Sequence, residues 1–445
     1  MHSEDAVHMV FGWDAMWFAG ILFVVTYVLI MSEKINRAIV ATSAAALMVL
    51  AGVISEQRAI DGVDFNTIGL LTGMMAIVAI TRRSGVFQYL AVWATKKVNA
   101  EPWGILVMLA LVTAFLSALL DNVTTVLLIA PVTLLITEAL GVKAYPYLFA
   151  EIFASNIGGA ATLIGDPPNI MIGSAVGLSF NDFVIHMLPA ASLVMVVSML
   201  PIYWVWGRHL QASEENRRRV MNYRERDAIT DRVLLIKSLS VLALVILGFA
   251  MAHTIGKQPS TIALAGAALL LLLDNLGRKP AKQTESVHAT FSEVEWVTIF
   301  FFIGLFVVVH GLESTGLLTL VAGEILTLTG GDLTVTAMAI LWGSAIASAV
   351  VDNIPFVATT IPLIKSMAPT FGGAEHLMPL WWSLALGACL GGNGSLVGAS
   401  ANLIVAGFAE RSRQPIGFIS FTLAAFPLMI LGIGVASVYV YLRYL

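Results

Sequence analysis

The sequence has few charged residues for its length. Asp, Glu, Lys and Arg make up 12% of its 445 residues, whereas soluble domains carry about 25%. Hydrophobic residues account for 58% of the chain, and the mean hydropathy is +0.88. This balance excludes an ordinary soluble domain and predicts a membrane protein with many spans.

Other absences exclude particular kinds of site and activity. Cys389 is the single cysteine, which excludes an intramolecular disulfide and a cysteine-cluster metal site. No Gly-Lys-Ser/Thr follows the glycines near 158 and 391, so a nucleotide-binding loop and an ATP-driven pump within this chain are not expected. We see no catalytic triad or metal-ligand cluster, and we expect no enzyme activity, no cofactor, no metal centre and no nucleic-acid partner. The acidic first residues and the missing cleavage site predict that the first apolar run stays as a membrane helix.

Apolar runs predict an all-α polytopic fold with about ten spans. Eight runs have the length of membrane helices, at residues 16–31, 36–54, 66–81, 186–207, 233–252, 259–275, 295–312 and 419–441. Spans 145–176 and 376–409 are too long for one helix and contain Gly/Pro-rich stretches, so each predicts a helix broken in mid-membrane. Runs 102–140 and 333–369 have two apolar arms around an Asp-Asn tip, which predicts re-entrant hairpins with short arms. Segments 84–98 and 315–328 look amphipathic and are expected at the membrane surface.

The polar stretches occur twice in the chain. Adding 231 to a residue number carries Asp121 to Asp352 and Asn122 to Asn353. The same shift relates three further pairs: Ser117 and Ser348, Pro131 and Pro362, Gly73 and Gly304. A shift of 233 carries Thr162, Gly165 and Asn169 to Ser395, Gly398 and Asn402. The chain therefore contains a duplicated unit whose matching positions are polar.

The placement of Lys and Arg predicts the topology. With both termini outside, the inner side receives 20 of the 24 Lys and Arg residues, and Arg58, Lys257, Lys365 and Arg443 remain outside, as the positive-inside rule requires. Helix 66–81 then runs inward and its duplicate 295–312 runs outward, which is the inverted repeat of secondary transporters. The predicted units are N-terminal scaffold helices at 1–65, a first repeat at 66–208, a solvated loop with linking helices at 209–294, and a second repeat at 295–445.

The broken helices predict a solute site. Half-helix ends offer N–H and C=O groups to a solute, and neighbouring hydroxyl and amide groups would complete a neutral shell. The candidate substrate-binding residues are Asn122, Thr124, Thr125, Thr162, Asn169, Asn353, Asn393, Ser395 and Asn402. The alternative for any one break is a bend without ligand contact.

Carboxylates inside a membrane are costly and indicate function. Asp121, Asp166 and Asp352 are therefore the candidate proton-coupling residues. The alternative for the two hairpin aspartates is capping of the next helix, and the alternative for Asp166 is a turn residue before a proline. Glu151 could relay protons or lie at the surface near a helix start.

These motifs resemble the ion transporter superfamily, most closely the arsenite/antimonite permeases, with relatives among Na⁺/H⁺ antiporters and the melanosomal P protein. The resemblance rests on Asp121-Asn122, Asp352-Asn353 and the stretches 165–169 and 391–402. It implies an elevator mechanism in the cell's inner membrane, a scaffold that is often dimeric in relatives, and in some relatives a soluble ATPase partner. Citrate and dicarboxylate branches have Ser-Asn-Thr at the hairpin tips, where this chain has Asp-Asn.

This departure decides the order of the functional hypotheses. Two tip carboxylates would repel an organic anion, whereas they suit a neutral hydroxide with proton counter-flow, or a small cation. We therefore expect arsenite or antimonite efflux by proton antiport. The alternatives are Na⁺/H⁺ antiport and, less favoured, anion transport or a passive channel.

Overall fold

The computed structural model describes residues 12–32 and 34–445, and within them the chain folds into 22 α-helices with no β-strand. Eight of these helices are long and apolar enough to cross a membrane. The predicted all-α polytopic fold is confirmed.

The first half of the chain has eleven helices. In order they are α1 (Ala15–Met31), α2 (Arg37–Leu50), α3 (Glu56–Asp61), α4 (Phe65–Arg82), α5 (Val86–Lys97), α6 (Pro102–Leu119), α7 (Asn122–Leu140), α8 (Tyr145–Ala160), α9 (Pro167–Val176), α10 (Phe180–His186) and α11 (Leu188–Val205). Capping groups set their bounds. The Asp64 carboxylate accepts the backbone N–H groups of Asn66 and Thr67 at the start of α4, and Gly141 ends α7 with a φ of +69°, which glycine adopts readily.

The second half repeats this order. It contains α12 (Glu214–Met221), α13 (Arg232–Ile255), α14 (Pro259–Asn275), α15 (Pro280–Ser292), α16 (Trp296–Ser314), α17 (Leu317–Leu328), α18 (Leu333–Val350), α19 (Asn353–Ser366), α20 (Met378–Gly391), α21 (Ser400–Arg411) and α22 (Phe418–Tyr444). In both halves two apolar helices and a shorter polar one precede six matched helices, α4–α9 and α16–α21. The order of helices therefore matches from α1–α3 and α13–α15 onward.

Contacts at the ends of α4 and α16 give their relative direction. Gly62, just before α4, lies against the His310 side chain near the end of α16. At the other end of α4, the Arg82 guanidinium lies 3.5 Å from the Glu293 carboxylate, just before α16 begins. The two equivalent helices are therefore antiparallel, and the repeats are inverted.

The predicted breaks and hairpins lie where expected. Residues 161–166 interrupt α8 and α9, and residues 392–399 interrupt α20 and α21. The first hairpin has arms of 18 and 19 residues, and the second has arms of 18 and 14 residues. An 18-residue helix extends about 27 Å, which is close to the thickness of a bilayer core. Three of the four arms have at least this length, so they are longer than the short arms predicted.

Glycines let the helices of each half approach closely. A methyl group on Gly158 would lie 2.2 Å from the Ala114 carbonyl oxygen, and one on Gly391 would lie 2.5 Å from the Ala345 carbonyl oxygen. Neither distance is sterically allowed, so the contact between hairpin and broken helix requires glycine in both repeats.

Most residues of the loop 208–232 are exposed or half-buried, and the loop also forms hydrogen bonds with the first repeat. The Asn216 amide donates to the Leu140 carbonyl over 2.9 Å, and the Thr230 N–H donates to the Ser84 carbonyl over 3.1 Å. The hydrogen bond from Lys96 lowers the pKa of the Glu225 carboxyl. The loop therefore binds the ends of the first repeat's helices.

The glycine contacts predict a strong steric effect. We expect Gly158→Ala to lower the free energy of unfolding by about 1–3 kcal/mol, because an overpacked site must move backbone. Thermal unfolding of the purified protein in detergent measures it.

Gly407→Ala is the matched control, because Gly407 lies in a helix with no atom within 4 Å of the added methyl. Alanine there is expected to leave stability unchanged or raise it by about 1 kcal/mol. Equal unfolding temperatures for the two variants would contradict the close contact.

Candidate functional site

The two hairpin turns and the two helix breaks meet inside the protein. The Asn353 amide, at the second hairpin, donates to the Asp166 carboxylate in the first break over 3.2 Å. The Asn156 amide, just before the first break, donates to the side-chain oxygens of Asn393 in the second break and Asn402 in the first turn of α21, each over 3.0 Å. All five side chains are at most 3% exposed, so the site is buried and joins both repeats.

Four of the predicted substrate-binding side chains hold the breaks together. The Thr162 hydroxyl donates to the Ala118 carbonyl over 2.5 Å, and its equivalent Ser395 donates to the Ala349 carbonyl over 2.6 Å. These bonds satisfy carbonyls that the end of a hairpin arm leaves free.

Two asparagines donate hydrogen bonds to backbone carbonyls within the breaks. The Asn169 amide donates to the Thr162 carbonyl, and the equivalent Asn402 amide donates to the Ser395 carbonyl, both over 2.9 Å. All four side chains therefore donate hydrogen bonds to backbone carbonyls, so the role that these contacts give them is structural. A role in solute binding stays a prediction.

Asn156, which the sequence analysis did not indicate, links the two halves. Asn156 accepts a hydrogen bond from Asn122 over 3.3 Å, in addition to the two bonds it donates. Its equivalent under the shift of 233 is Cys389, whose thiol donates to the Asn169 amide oxygen over 3.4 Å. Because the duplicated residues differ here, comparing the repeats for identity could not find Asn156. An asparagine within an apolar helix was the available signal.

Asp166 has no capping role through its side chain. It is 1% exposed, and its carboxylate makes no hydrogen bond to the start of α9. The Asn353 amide binds both of its oxygens, at 3.4 and 3.2 Å. The second repeat has Ala399 at this position, so the two halves contribute one carboxylate rather than two.

Asp121 and Asp352 each cap a helix and keep a second oxygen for other contacts. One Asp121 oxygen accepts the Thr124 N–H over 2.7 Å, and the other accepts the Thr124 hydroxyl over 2.5 Å. One Asp352 oxygen accepts the Ile354 N–H over 3.1 Å. The capping role is thus observed for both aspartates, and the second oxygen of each accepts a hydrogen bond from a side-chain hydroxyl, Thr124 for Asp121 and Ser400 for Asp352.

Arg37 is the main residue that the sequence analysis missed. Its guanidinium lies 3.0 Å from the second Asp352 oxygen, 2.6 Å from the Ser400 hydroxyl and 3.2 Å from the Thr298 hydroxyl. It also lies 5.0 Å from the centre of the Phe301 ring, a cation–π distance. From the sequence, Arg37 is one of the 20 Lys and Arg residues expected on the inner side. An arginine at the first position of an apolar helix was the available signal.

A small cavity lies between these groups. Its volume is about 20 Å³, enough for one water molecule. The polar residues that line it are Arg37, Asp121, Asn122, Asp166, Glu295, Thr298, Asn353 and Ser400. A larger cavity of about 330 Å³ adjoins it and shares Arg37, Glu295 and Ser400, together with Asp352. The small cavity therefore has room for one water-sized group, and the larger cavity adjoins it.

The remaining predicted residues lie away from the cavity lining. Thr124 binds Asp121, and the Thr125 hydroxyl is buried without a hydrogen-bond partner. His310 lies 3.5 Å from Glu313 in a separate cavity of about 310 Å³. Within the described part of the chain, no three His, Cys, Asp or Glu side chains converge as a metal site.

Comparisons with known proteins agree with this architecture. The structure of the Alcanivorax borkumensis YdaH transporter has a TM-score of 0.61 over 96% of this chain and 98% of that one, at 12% identity. This similarity supports the fold alone.

Curated relatives cover nearly the whole chain. An uncharacterized transporter of Mycobacterium tuberculosis is 45% identical over 95% of this chain and 97% of its own length. The P protein of Homo sapiens is 33% identical over 93% of this chain and 58% of its own length. The predicted relationship to P protein is confirmed, whereas no comparison supports arsenite permeases in particular. The citrate transporter family, CitMHS, matches residues 27–387, and the chain belongs to this family of membrane transporters.

Proposed function

We propose that this transporter is a proton-coupled antiporter whose solute is a small monovalent cation, with Na⁺ as the first candidate. The observation that carries this proposal is the concentration of carboxylates at the site. Asp121, Asp166 and Glu295 line the small cavity, and Asp352 adjoins it. Among the described residues that line these two cavities, Arg37 is the one cationic side chain.

The charge balance favours protons and cations. If all four carboxylates were ionised, the single guanidinium would balance only one of them, and the site would be strongly negative. Two like charges 4 Å apart repel by about 4 kcal/mol at an effective dielectric constant near 20. Bound protons or a bound cation relieve this repulsion, so exchange of one for the other is the chemistry that the site favours.

The size and ligands of the site favour Na⁺ over arsenite. The cavity of about 20 Å³ fits a bare ion or one water, whereas arsenite has four non-hydrogen atoms. The lining offers carboxylate, amide and hydroxyl oxygens, which suit hard cations. The sequence alone favours arsenite, whereas the cavity size and its oxygen ligands support placing Na⁺ first.

Arsenite or antimonite efflux by proton antiport is the second candidate. The observation that favours it is Cys389, whose thiol is buried beside Asn169. Trivalent arsenic and antimony bind thiols, and the surrounding amides could replace part of a hydroxide's water shell. This candidate requires a more open conformation.

Citrate transport is suggested by the name of the matched family. The site disfavours it, because Arg37 is already engaged by Asp352 at 3.0 Å. A citrate anion would meet three further carboxylates with no free cation among the described lining residues. Citrate therefore ranks third and belongs in the assay as a comparison.

An elevator motion would use the contacts between scaffold and hairpins. Arg37 of α2 and Tyr27 of α1 bind the second hairpin, at Asp352 and at the Pro355 carbonyl. Binding of a cation at Asp352 would compete with Arg37 and release the hairpin. Proton binding would neutralise the empty site for its return, since a ligand shifts an equilibrium only through different affinities for the two states. The solute moves across the lipid bilayer, and the resemblance also implies a homodimer and, in some relatives, a soluble ATPase partner.

Reconstituted protein tests the function directly. Liposomes with an internal pH dye receive a Na⁺, K⁺, arsenite or citrate gradient, and we expect proton movement with Na⁺ only. Asp121→Asn, Asp166→Asn and Asp352→Asn are each expected to lower this flux at least tenfold, because an amide neither carries a proton nor neutralises a cation.

Asp332→Asn is the matched control, since Asp332 is an exposed capping residue at the start of α18 and asparagine also caps well. It should keep the wild-type flux. Full proton-coupled flux in all three site variants would eliminate the carboxylate mechanism, and flux with arsenite alone would promote the second candidate.

The Arg37–Asp352 pair makes a separate prediction about stability. Arg37→Met is expected to lower the thermal stability, because it leaves a carboxylate that is 13% exposed without its cation. The double variant with Asp352→Asn should recover part of the loss, which gives a coupling free energy of about 1–3 kcal/mol.

Arg58→Met supplies the control, because Arg58 lies on the exposed face of α3. Surface changes of this kind usually alter stability by less than about 0.5 kcal/mol. Additive effects of Arg37→Met and Asp352→Asn would argue against a coupled pair.

A further inference from the structure

A row of buried polar side chains lies between α7 and α8, outside the cavity. Thr125 and Thr133 of α7 and Ser155 of α8 are 0% exposed, and Glu151 of α8 is 1% exposed. The Thr133 hydroxyl donates to one oxygen of the Glu151 carboxyl group. Glu151 therefore lies in the interior, not at the surface near a helix start, which was the alternative that its sequence position allowed.

Three atoms of this row have no hydrogen-bond partner. They are the second carboxyl oxygen of Glu151, the Ser155 hydroxyl and the Thr125 hydroxyl. Within residues 12–32 and 34–445, no Lys, Arg or His forms an ion pair with Glu151. An unpaired ionised carboxylate in the interior is very costly, so the group is stable there with a proton or beside bridging water.

The second repeat shows that the fold does not need these polar groups. A shift of 231 carries Thr125 to Phe356 and Thr133 to Ile364. A shift of 233 carries Glu151 to Leu384 and Ser155 to Ala388. The glycine contacts support both shifts, because Gly158 faces Ala114 as Gly391 faces Ala345.

The equivalent residues in the second repeat are apolar, and most are fully buried. Ile364, Leu384 and Ala388 are each 0% exposed. The same backbone arrangement is thus filled with hydrocarbon in one half and with hydroxyls and a carboxyl group in the other. Packing does not explain the polar row, which indicates a function for it.

The row leads towards the site. Glu151 and Ser155 are one helical turn apart, so their side chains are neighbours on one face of α8. Asn156 follows Ser155 directly and donates to the amides of the second break. On α7, Thr125 lies one turn after Asp121 and donates its N–H to the Asp121 carbonyl over 3.0 Å.

We propose that Glu151 is a second proton-binding site, which exchanges protons with Asp121 through the hydroxyls of Ser155 and Thr125 and bridging water. Each hydroxyl accepts one proton on one lone pair and releases its own, so the Glu151 carboxyl group loses a proton and Asp121 gains it. This inference rests on the proton coupling proposed above. It gives protons a route through the first repeat that reaches the solute cavity at Asp121.

Substitutions copied from the second repeat test the proposal. Glu151→Leu introduces the residue of the equivalent position, so we expect a folded protein with unchanged or higher thermal stability. Glu151→Leu and Glu151→Gln should each lower Na⁺-driven proton movement at least tenfold. Exchange of labelled Na⁺ for unlabelled Na⁺ needs no proton and should stay within twofold of wild type. Glu138→Gln is the control, because Glu138 lies on the exposed face of α7 and should leave both fluxes unchanged.

Infrared difference spectroscopy provides a readout that does not depend on transport. At neutral pH, the carbonyl stretch of protonated carboxyl groups should lose one component in Glu151→Gln and none in Glu138→Gln. Wild-type proton movement in Glu151→Leu, or an unchanged carbonyl band in Glu151→Gln, would overturn the inference. Absence of any cation flux in wild-type protein would instead refute the proposed function, and the infrared result would still decide whether Glu151 binds a proton.

Discussion

The structure depends on one constraint: a helix broken among apolar helices must satisfy its free backbone groups within the protein. Each break is held by a hydroxyl that binds a neighbouring hairpin and an asparagine that binds the broken loop, at Thr162 and Asn169 and again at Ser395 and Asn402. The glycines allow the hairpin backbone to come close enough for these bonds. Residues that look like a binding shell in the sequence are thus first needed to make the breaks stable.

The sequence predicted the helices and the duplication well, because both depend on local features. Apolar length located the spans, and glycine and proline located the breaks at 161–166 and 392–399. The roles of particular side chains were harder to predict. The hydroxyl of a threonine near a break can face a solute or a backbone carbonyl. For Thr162 the structure shows that it binds the Ala118 carbonyl, which the sequence could not show.

Residues that differ between the repeats were the ones most easily missed. Arg37 comes from a helix outside the predicted repeats, and it reaches Asp352 from 315 positions away in the chain. Asn156 has a cysteine as its equivalent, so the search for matching polar positions passed over it. A contact between distant segments leaves no periodic signal in one sequence, which is why the ion pair and the asparagine cluster required the structure.

The same differences explain how a symmetric scaffold acquires a direction. The matched residues, such as Asn169 and Asn402, support the two breaks equally. The unmatched ones, Asp166 against Ala399 and Glu151 against Leu384, place acidic groups in the first half only. Arg37 supplies its positive charge to the second hairpin, at Asp352. If both halves carried the same charges, the two would respond alike to a proton or a cation. Because the unmatched acids lie in the first repeat and the arginine binds the second, binding at the centre would change the two hairpins differently, and the proposed coupling of proton and solute movement requires a difference of this kind.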